Sequence, residues 1–184
     1  MRLPNVLKVV LASVLLFVLV VFGIGQILSD RWLVETVRRL DGPATRLAPL
    51  LQDLRAWSSW GDLMVELGAP TQREASGEAG QAGQALRWRG PLGEARLVLT
   101  EVEPLLVGYR WTMQRSGEEQ AQELSAGRIE WLADGEQTVV TWREWRQMTS
   151  LAERWFAWFG AKQERIREIQ RSGLEGLQLQ FKPK

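Results

Sequence analysis

The longest unbroken apolar run in the chain is VVLASVLLFVLVVFGIG, residues 9–25, which carries no charge and has Ser13 as its only polar side chain. A serine hydroxyl can bond back to a helix carbonyl, so it does not interrupt the run. With Gln26, Ile27 and Leu28 the stretch reaches about 20 residues, enough at about 1.5 Å per residue to cross a hydrocarbon core of about 30 Å. A transmembrane anchor is therefore predicted within residues 1–29. A cleaved signal peptide is the competing reading, because Arg2 and Lys8 form a basic start and Gly23-Ile24-Gly25 is a small-x-small triplet. The length of the run, and glycine where alanine is the commoner signal, favour retention. A buried core helix is disfavoured, since no polar face breaks the stripe.

Residues 30–184 show shorter periods and read as one domain. Residues 32–40 suit an extended segment, stopped by Asp41-Gly42-Pro43. Leu47, Leu50, Leu51 and Leu54 recur at helical spacing with Trp57 continuing the face, so a short helix is expected before Trp60. Another turn or two is expected over residues 62–67, with Met64 and Leu67 on one side. The stretch GEAGQAG, from Gly77 to Gly83, reads as a hairpin or loop between strand patterns. Candidate strands then follow at 85–90, 95–102, 106–114, 123–132 and 138–146. In the third of these, Val107, Tyr109, Trp111 and Met113 share one face while Gly108, Arg110, Thr112 and Gln114 share the other. One face is apolar and the other is wet, as in an antiparallel sheet covered on one side. The cover is expected from the C-terminal segment, where Leu151, Trp155, Trp158, Phe159, Ile166, Ile169, Leu174 and Leu177 follow helical spacing and charged residues fill the gaps. Gly160 and Gly173 are its expected weak points. The predicted class is α+β.

Charge narrows the function. All 22 acidic residues follow the apolar run and two of the 23 basic ones precede it, leaving 21 basic against 22 acidic, a net of −1. No basic field for nucleic acid is present. Arg2, Lys8 and the terminal amine before the run outweigh Arg31, which Asp30 offsets, so the N-terminus is expected in the cytoplasm and the domain outside, as in a bacterial inner-membrane protein. The chain has no cysteine and no histidine, which removes disulfides, thiolate sites, Ser-His-Asp hydrolysis and histidine-ligated zinc. Gly77, Gly80 and Gly83 lack the lysine and hydroxyl residue of a phosphate loop. No metal motif is visible, and no cofactor is expected.

Several stretches carry a resemblance. VETVRRLDGP (34–43), LLQDLRAWSSW (50–60), GEARLVLTEVEP (93–104), TVVTWREW (138–145) and SGLEGLQ (172–178), taken in this order, resemble the START-like (SRPBCC) superfamily, and in particular its membrane-anchored members of the polyketide cyclase/dehydratase and lipid-transport type. The resemblance implies a helix-grip fold, a curved antiparallel sheet wrapped around a long C-terminal helix with a cavity between them. It implies binding of lipids, sterols, polyketides or other apolar molecules, with some members enzymes. The loop after Trp60, GDLMVELGAPTQ, departs from the family pattern at the expected cavity mouth.

Ten tryptophans, at 32, 57, 60, 88, 111, 131, 142, 145, 155 and 158, exceed what a core of this size requires. Any one of them is most simply a buried side chain with its N–H bonded. Together they suit a pocket for an apolar ligand, lined by aromatic surface with a few polar anchors. Trp88, Trp111 and Trp142 from strands, with Tyr109 on the same face, and Trp155, Trp158 and Phe159 from the terminal helix are the candidate walls. Trp32, just past the apolar run, is expected as an interfacial anchor. Lys162 stands on the apolar stripe and could face an anionic head group, or its stem could lie along the groove with the ammonium in water. Arg110 and Arg143 are expected to point outward, and Glu101, Glu103, Glu130 and Glu144 to be solvated strand residues. The expected function is a membrane-tethered domain holding a lipid or other hydrophobic small molecule. The alternative is a cyclase/dehydratase-like enzyme with no assignable catalytic residue.

Overall fold

The computed structural model describes residues 4–61 and 72–181. The helical expectation for residues 62–67 lies outside them. The apolar run forms α1 (Asn5–Ile27), in which an 18-residue stretch within Val6–Ile27 reaches a mean hydropathy of 2.8. By length and composition it can cross a membrane, and nearly all of its side chains are exposed.

Strand β1 (Arg31–Asp41) follows directly, and a stop at Gly42-Pro43 ends it. The Leu47–Trp57 segment is not one helix. It is the single turn α2 (Ala48–Leu51) between two 3-10 turns, Ala44–Arg46 and Ala56–Ser59. Tertiary bonds compete with the helix here: Leu54 N–H donates to Gln84 Oε1 at 3.0 Å and Gln52 Nε2 donates to the Glu103 carbonyl at 2.6 Å. The predicted face is nonetheless correct, since Leu47, Leu51, Leu54 and Trp57 are fully buried and Leu50 packs partly buried against the same core.

Strands β2 (Gln72–Ser76), β3 (Ala85–Gly90), β4 (Gly93–Glu103), β5 (Leu106–Arg115), β6 (Gln122–Asp134) and β7 (Gln137–Gln147) complete the sheet. The Gly-rich stretch is the β2–β3 connection, with Ser76 opposite Ala85. The seven strands lie in the order β1-β7-β6-β5-β4-β3-β2, each pairing antiparallel with its neighbour. The first strand therefore closes onto the last, and register shifts at Leu99/Glu101 and Trp111/Thr112 supply local bends.

Helices α3 (Leu151–Trp158) and α4 (Ala161–Phe181) replace the single long helix that the spacing predicts. The break falls at Gly160, whose φ of 75° is left-handed and available at little cost to glycine alone. Helix α4 runs unbroken through Gly173. A Cβ there would lie 2.9 Å from the Trp142 ring, and one at Gly176 would land on the Trp60 carbonyl, so both glycines let α4 approach its neighbours. Along β1, α4 is held by Thr36 Oγ1 donating to Gln170 Oε1 at 2.7 Å and by Asp41 N–H donating to Gln178 Oε1 at 3.1 Å. Leu174 and Leu177 enter the main core beneath the sheet. This is the helix-grip arrangement, α+β, as expected.

Candidate functional site on the concave face of the sheet

Alternation decides which side chains meet under the sheet. Tyr109 and Trp111 of β5, Ser125 and Gly127 of β6, and Trp142 and Glu144 of β7 all face the covered side. Trp111 lies opposite Ser125, Tyr109 opposite Gly127, and Gly127 opposite Glu144, so these residues form one continuous patch. Trp88 of β3 extends it by stacking on Trp111, with ring centroids 5.1 Å apart and an interplanar angle of 24°.

The rings are tightly locked. Trp57 meets Tyr109 edge-on at 5.5 Å, Trp60 lies 5.2 Å from Trp57, and Trp60 meets Trp142 edge-on at 5.9 Å. The indole N–H groups of Trp57 and Trp60 donate to the carbonyls of Leu51 and Leu50, at 2.8 and 3.0 Å. Such pairing is what keeps a buried indole from being a liability.

A polar chain runs through the patch. Trp142 Nε1 donates to Tyr109 Oη at 2.6 Å, Tyr109 Oη donates to Glu144 Oε2 at 3.0 Å, and Ser125 Oγ donates to Glu144 Oε1 at 2.6 Å. Gly127 makes the phenol's position possible, because a Cβ there would overlap the Tyr109 ring. Burial, reinforced by the Glu144 charge, pushes the Tyr109 phenol well above its ordinary range. Tyr109 is thus a fixed neutral donor. Chemically, the patch brings together flat aromatic rings, one carboxylate and two hydroxyls within the core.

Glu144 corrects an expectation. It is not a solvated strand residue: two positions after Trp142, it shares that residue's inward face and is partly buried. The alternation that placed Trp142 was the signal that could have found it. Glu130 and Glu101 do point outward, pairing with Arg143 and Arg128 at 3.1 and 2.7 Å, and Arg110 pairs with Glu123 on the exposed side.

The candidate walls divide into two groups. Trp88, Tyr109, Trp111 and Trp142 come together in the patch. Trp155, Trp158 and Phe159 do not join them, because the break at Gly160 carries α3 away to the end of α1, and Lys162 does not because it stands exposed in the first turn of α4. Trp155 is half-buried beside Gly25, while Trp158 and Phe159 are exposed. Lys162 is exposed and borders a pocket of about 200 Å³ with Trp32, Arg146 and Phe156. Trp32 is not an exposed anchor: it packs with Val34 and Met148 in a second apolar cluster, joined by Ala157 and Ile166. Among the described residues, no group of three or more Asp, Glu, His or Cys is placed to hold a metal ion.

No protein-family model and no curated protein matches the chain. Solved structures do. Major latex-like protein 151 from Panax ginseng superposes with a TM-score of 0.55 at 9% identity, covering 84% of this chain and 100% of its own. Protein Mll3558 from Rhizobium loti gives 0.54 at 18% identity, covering 81% and 96%. DynU16, a protein of the dynemicin biosynthetic locus, gives 0.53 at 14% identity, covering 82% of this chain and 46% of that one. At these identities the likeness is one of fold, the helix-grip arrangement of an antiparallel sheet and a C-terminal helix.

Proposed function

We propose that the chain is a membrane-tethered helix-grip domain that holds a lipid or other hydrophobic small molecule against the concave face of its sheet. The carrying observation is the continuous patch in which Trp88 and Trp111 offer stacked aromatic surface beside the hydrogen-bonded Ser125–Glu144–Tyr109 cluster. Apolar wall with a few fixed polar groups is the composition of small-molecule sites. Trp142, closed in by Trp60 and Gly173, serves as floor more than wall. Helix α1 keeps the domain beside the bilayer, where apolar ligands reside, with the N-terminus cytoplasmic and the domain on the outer side.

The full chain, extracted in native membrane discs and analysed by mass spectrometry, is expected to retain one apolar species per chain. That species is lost in a Trp88→Ala/Trp111→Ala variant while the surrounding membrane lipid is unchanged. Identical small-molecule content in the two proteins overturns the proposal.

The Tyr109–Glu144 pair favours one second reading, a cyclase/dehydratase-like enzyme on a bound apolar substrate. In that reading Glu144 handles the proton and Tyr109, held neutral, donates a hydrogen bond. Turnover that Glu144→Gln abolishes with the fold intact would establish it.

A further inference from the structure

The break at Gly160 leaves α3 with a task that the sheet does not explain. Its sequence LAERWFAW opens on a complete capping box, in which Ser150 Oγ accepts from Glu153 N–H and the Glu153 carboxylate accepts from Ser150 N–H. A helix capped this well is a defined element. Yet its aromatic side chains are left outside: Phe156, Trp158 and neighbouring Phe159 are 77%, 63% and 70% exposed. Three large aromatics left in water on one short segment, two of them (Trp158 and Phe159) in ring contact at 5.4 Å, need a partner.

The position of α3 says which. Among the elements it packs against is α1, at the end of the apolar run nearest the domain. A Cβ added at Gly25 would lie 2.9 Å from Trp155 Nε1 and 3.2 Å from Leu151 Cδ2. Gly25 is buried, two positions before α1 ends at Ile27. If α1 crosses a bilayer, α3 meets it within about one turn of the point where the chain leaves the hydrocarbon, which is the headgroup region.

Charge completes the match. Arg154, Lys162 and Arg165 make no ion pair among the described residues, whereas the nearby carboxylates of Glu153 and Glu164 are taken by Arg146 and Arg167. Arg154 and Arg31 line a cleft of about 220 Å³ between the end of α1, β1 and α3, and Arg154 Nε is buried there with no hydrogen-bond partner. Aromatic residues that can enter the acyl boundary, with unpaired cations beside them, fit an anionic lipid surface.

We propose that α3 is an interfacial helix: Phe156, Trp158 and Phe159 insert into the outer edge of the bilayer around α1, and Arg31, Arg154 and Lys162 take anionic phospholipid head groups. This second membrane contact rests on α1 being a span and is independent of any ligand under the sheet. It would hold the domain at a set orientation to the surface, where α1 alone is a swivel.

The absence of cysteine makes the test clean, since single-cysteine variants of the full chain can carry a nitroxide. Phe156→Cys, Phe159→Cys, Val14→Cys in α1 and Leu132→Cys at the far end of the sheet would each be reconstituted in vesicles of phosphatidylcholine with phosphatidylglycerol. Collisions with oxygen and with a water-soluble nickel chelate report depth. Labels at 156 and 159 are expected to behave like the one at 14, favouring oxygen, and the label at 132 to favour nickel. Labels at 156 and 159 matching 132, with 14 still in the bilayer, overturn the interfacial helix and leave the span intact. A label at 14 that is open to nickel overturns both. Omitting phosphatidylglycerol, or introducing Arg154→Gln/Lys162→Gln, is expected to raise nickel access at 159 several-fold. No change under either treatment overturns the headgroup contact.

Discussion

The phenol of Tyr109 is the residue whose surroundings have the most direct consequences. It is the chain's only tyrosine, so its titration can be followed alone by tyrosinate absorbance. An exposed tyrosine ionises near 10, and burial places that of Tyr109 well above. The unfolded chain therefore loses a proton near pH 10 that the folded chain keeps. Stability from this source is complete below that pH and declines as pH rises toward the folded value. Native protein is expected to show no tyrosinate signal near pH 10 and to develop it together with unfolding, and Tyr109→Phe is expected to be less sensitive to alkali. A normal titration in folded protein would contradict the buried Trp142–Tyr109–Glu144 chain.

Glycines supply a second residue-scale contrast. Gly176→Ala would drive a methyl group into the Trp60 carbonyl, whereas a Cβ at Gly23 meets nothing within 4 Å. Overpacking of this kind costs about 1–3 kcal/mol. Thermal unfolding in mild detergent should show a clearly lowered midpoint for Gly176→Ala and near-wild-type behaviour for Gly23→Ala.

At the scale of elements, the junction between α3 and α4 is the most exposed to local change. Gly160→Ala forces an L-residue into left-handed backbone at a cost of about 1–2 kcal/mol, and Ser150→Ala removes a cap worth about 1 kcal/mol. Both are expected to loosen α3 ahead of the sheet, which hydrogen exchange can resolve by element. Burial alone would raise the Glu153 carboxyl, but backbone donors from Thr149 and Ser150 and the Arg146 charge outweigh it and hold it below the usual carboxylate range. Its stabilisation of the junction is present above that usual range and is lost as pH falls through the lowered value. Exchange in α3 is thus expected to quicken on acidification in the wild type, with Glu153→Gln already fast at neutral pH.

At the scale of the whole molecule, β1 lies at the sheet edge beside β7 with α4 packed along it, and α1 and α3 meet each other outside the sheet. If α1 spans a bilayer with its N-terminus in the cytoplasm, as proposed, the domain is open to protease from the outer side alone. In spheroplasts the domain is expected to be digested, and in inside-out membrane vesicles to be protected. The reverse pattern would place the N-terminus outside.

Most of the secondary structure was legible from period alone, because one covered face forces apolar residues to recur at two in strands and at three to four in helices. The sequence by itself determined α1, the strands β1 and β3 to β7, the buried face of the Leu47–Trp57 segment and the shared covered face of Tyr109 and Trp111. Periodicity could not tell that the helical stripe from Leu151 to Leu177 serves two partners, since α3 and α4 keep the same spacing on either side of Gly160. Only the tertiary structure decided that Trp155, Trp158 and Phe159 leave the sheet, that Trp32 is covered, and that Glu144 turns inward to meet Tyr109. The physical reason is the same in each case: a period records which side chains share a face, while what lies against that face depends on residues far away in the chain.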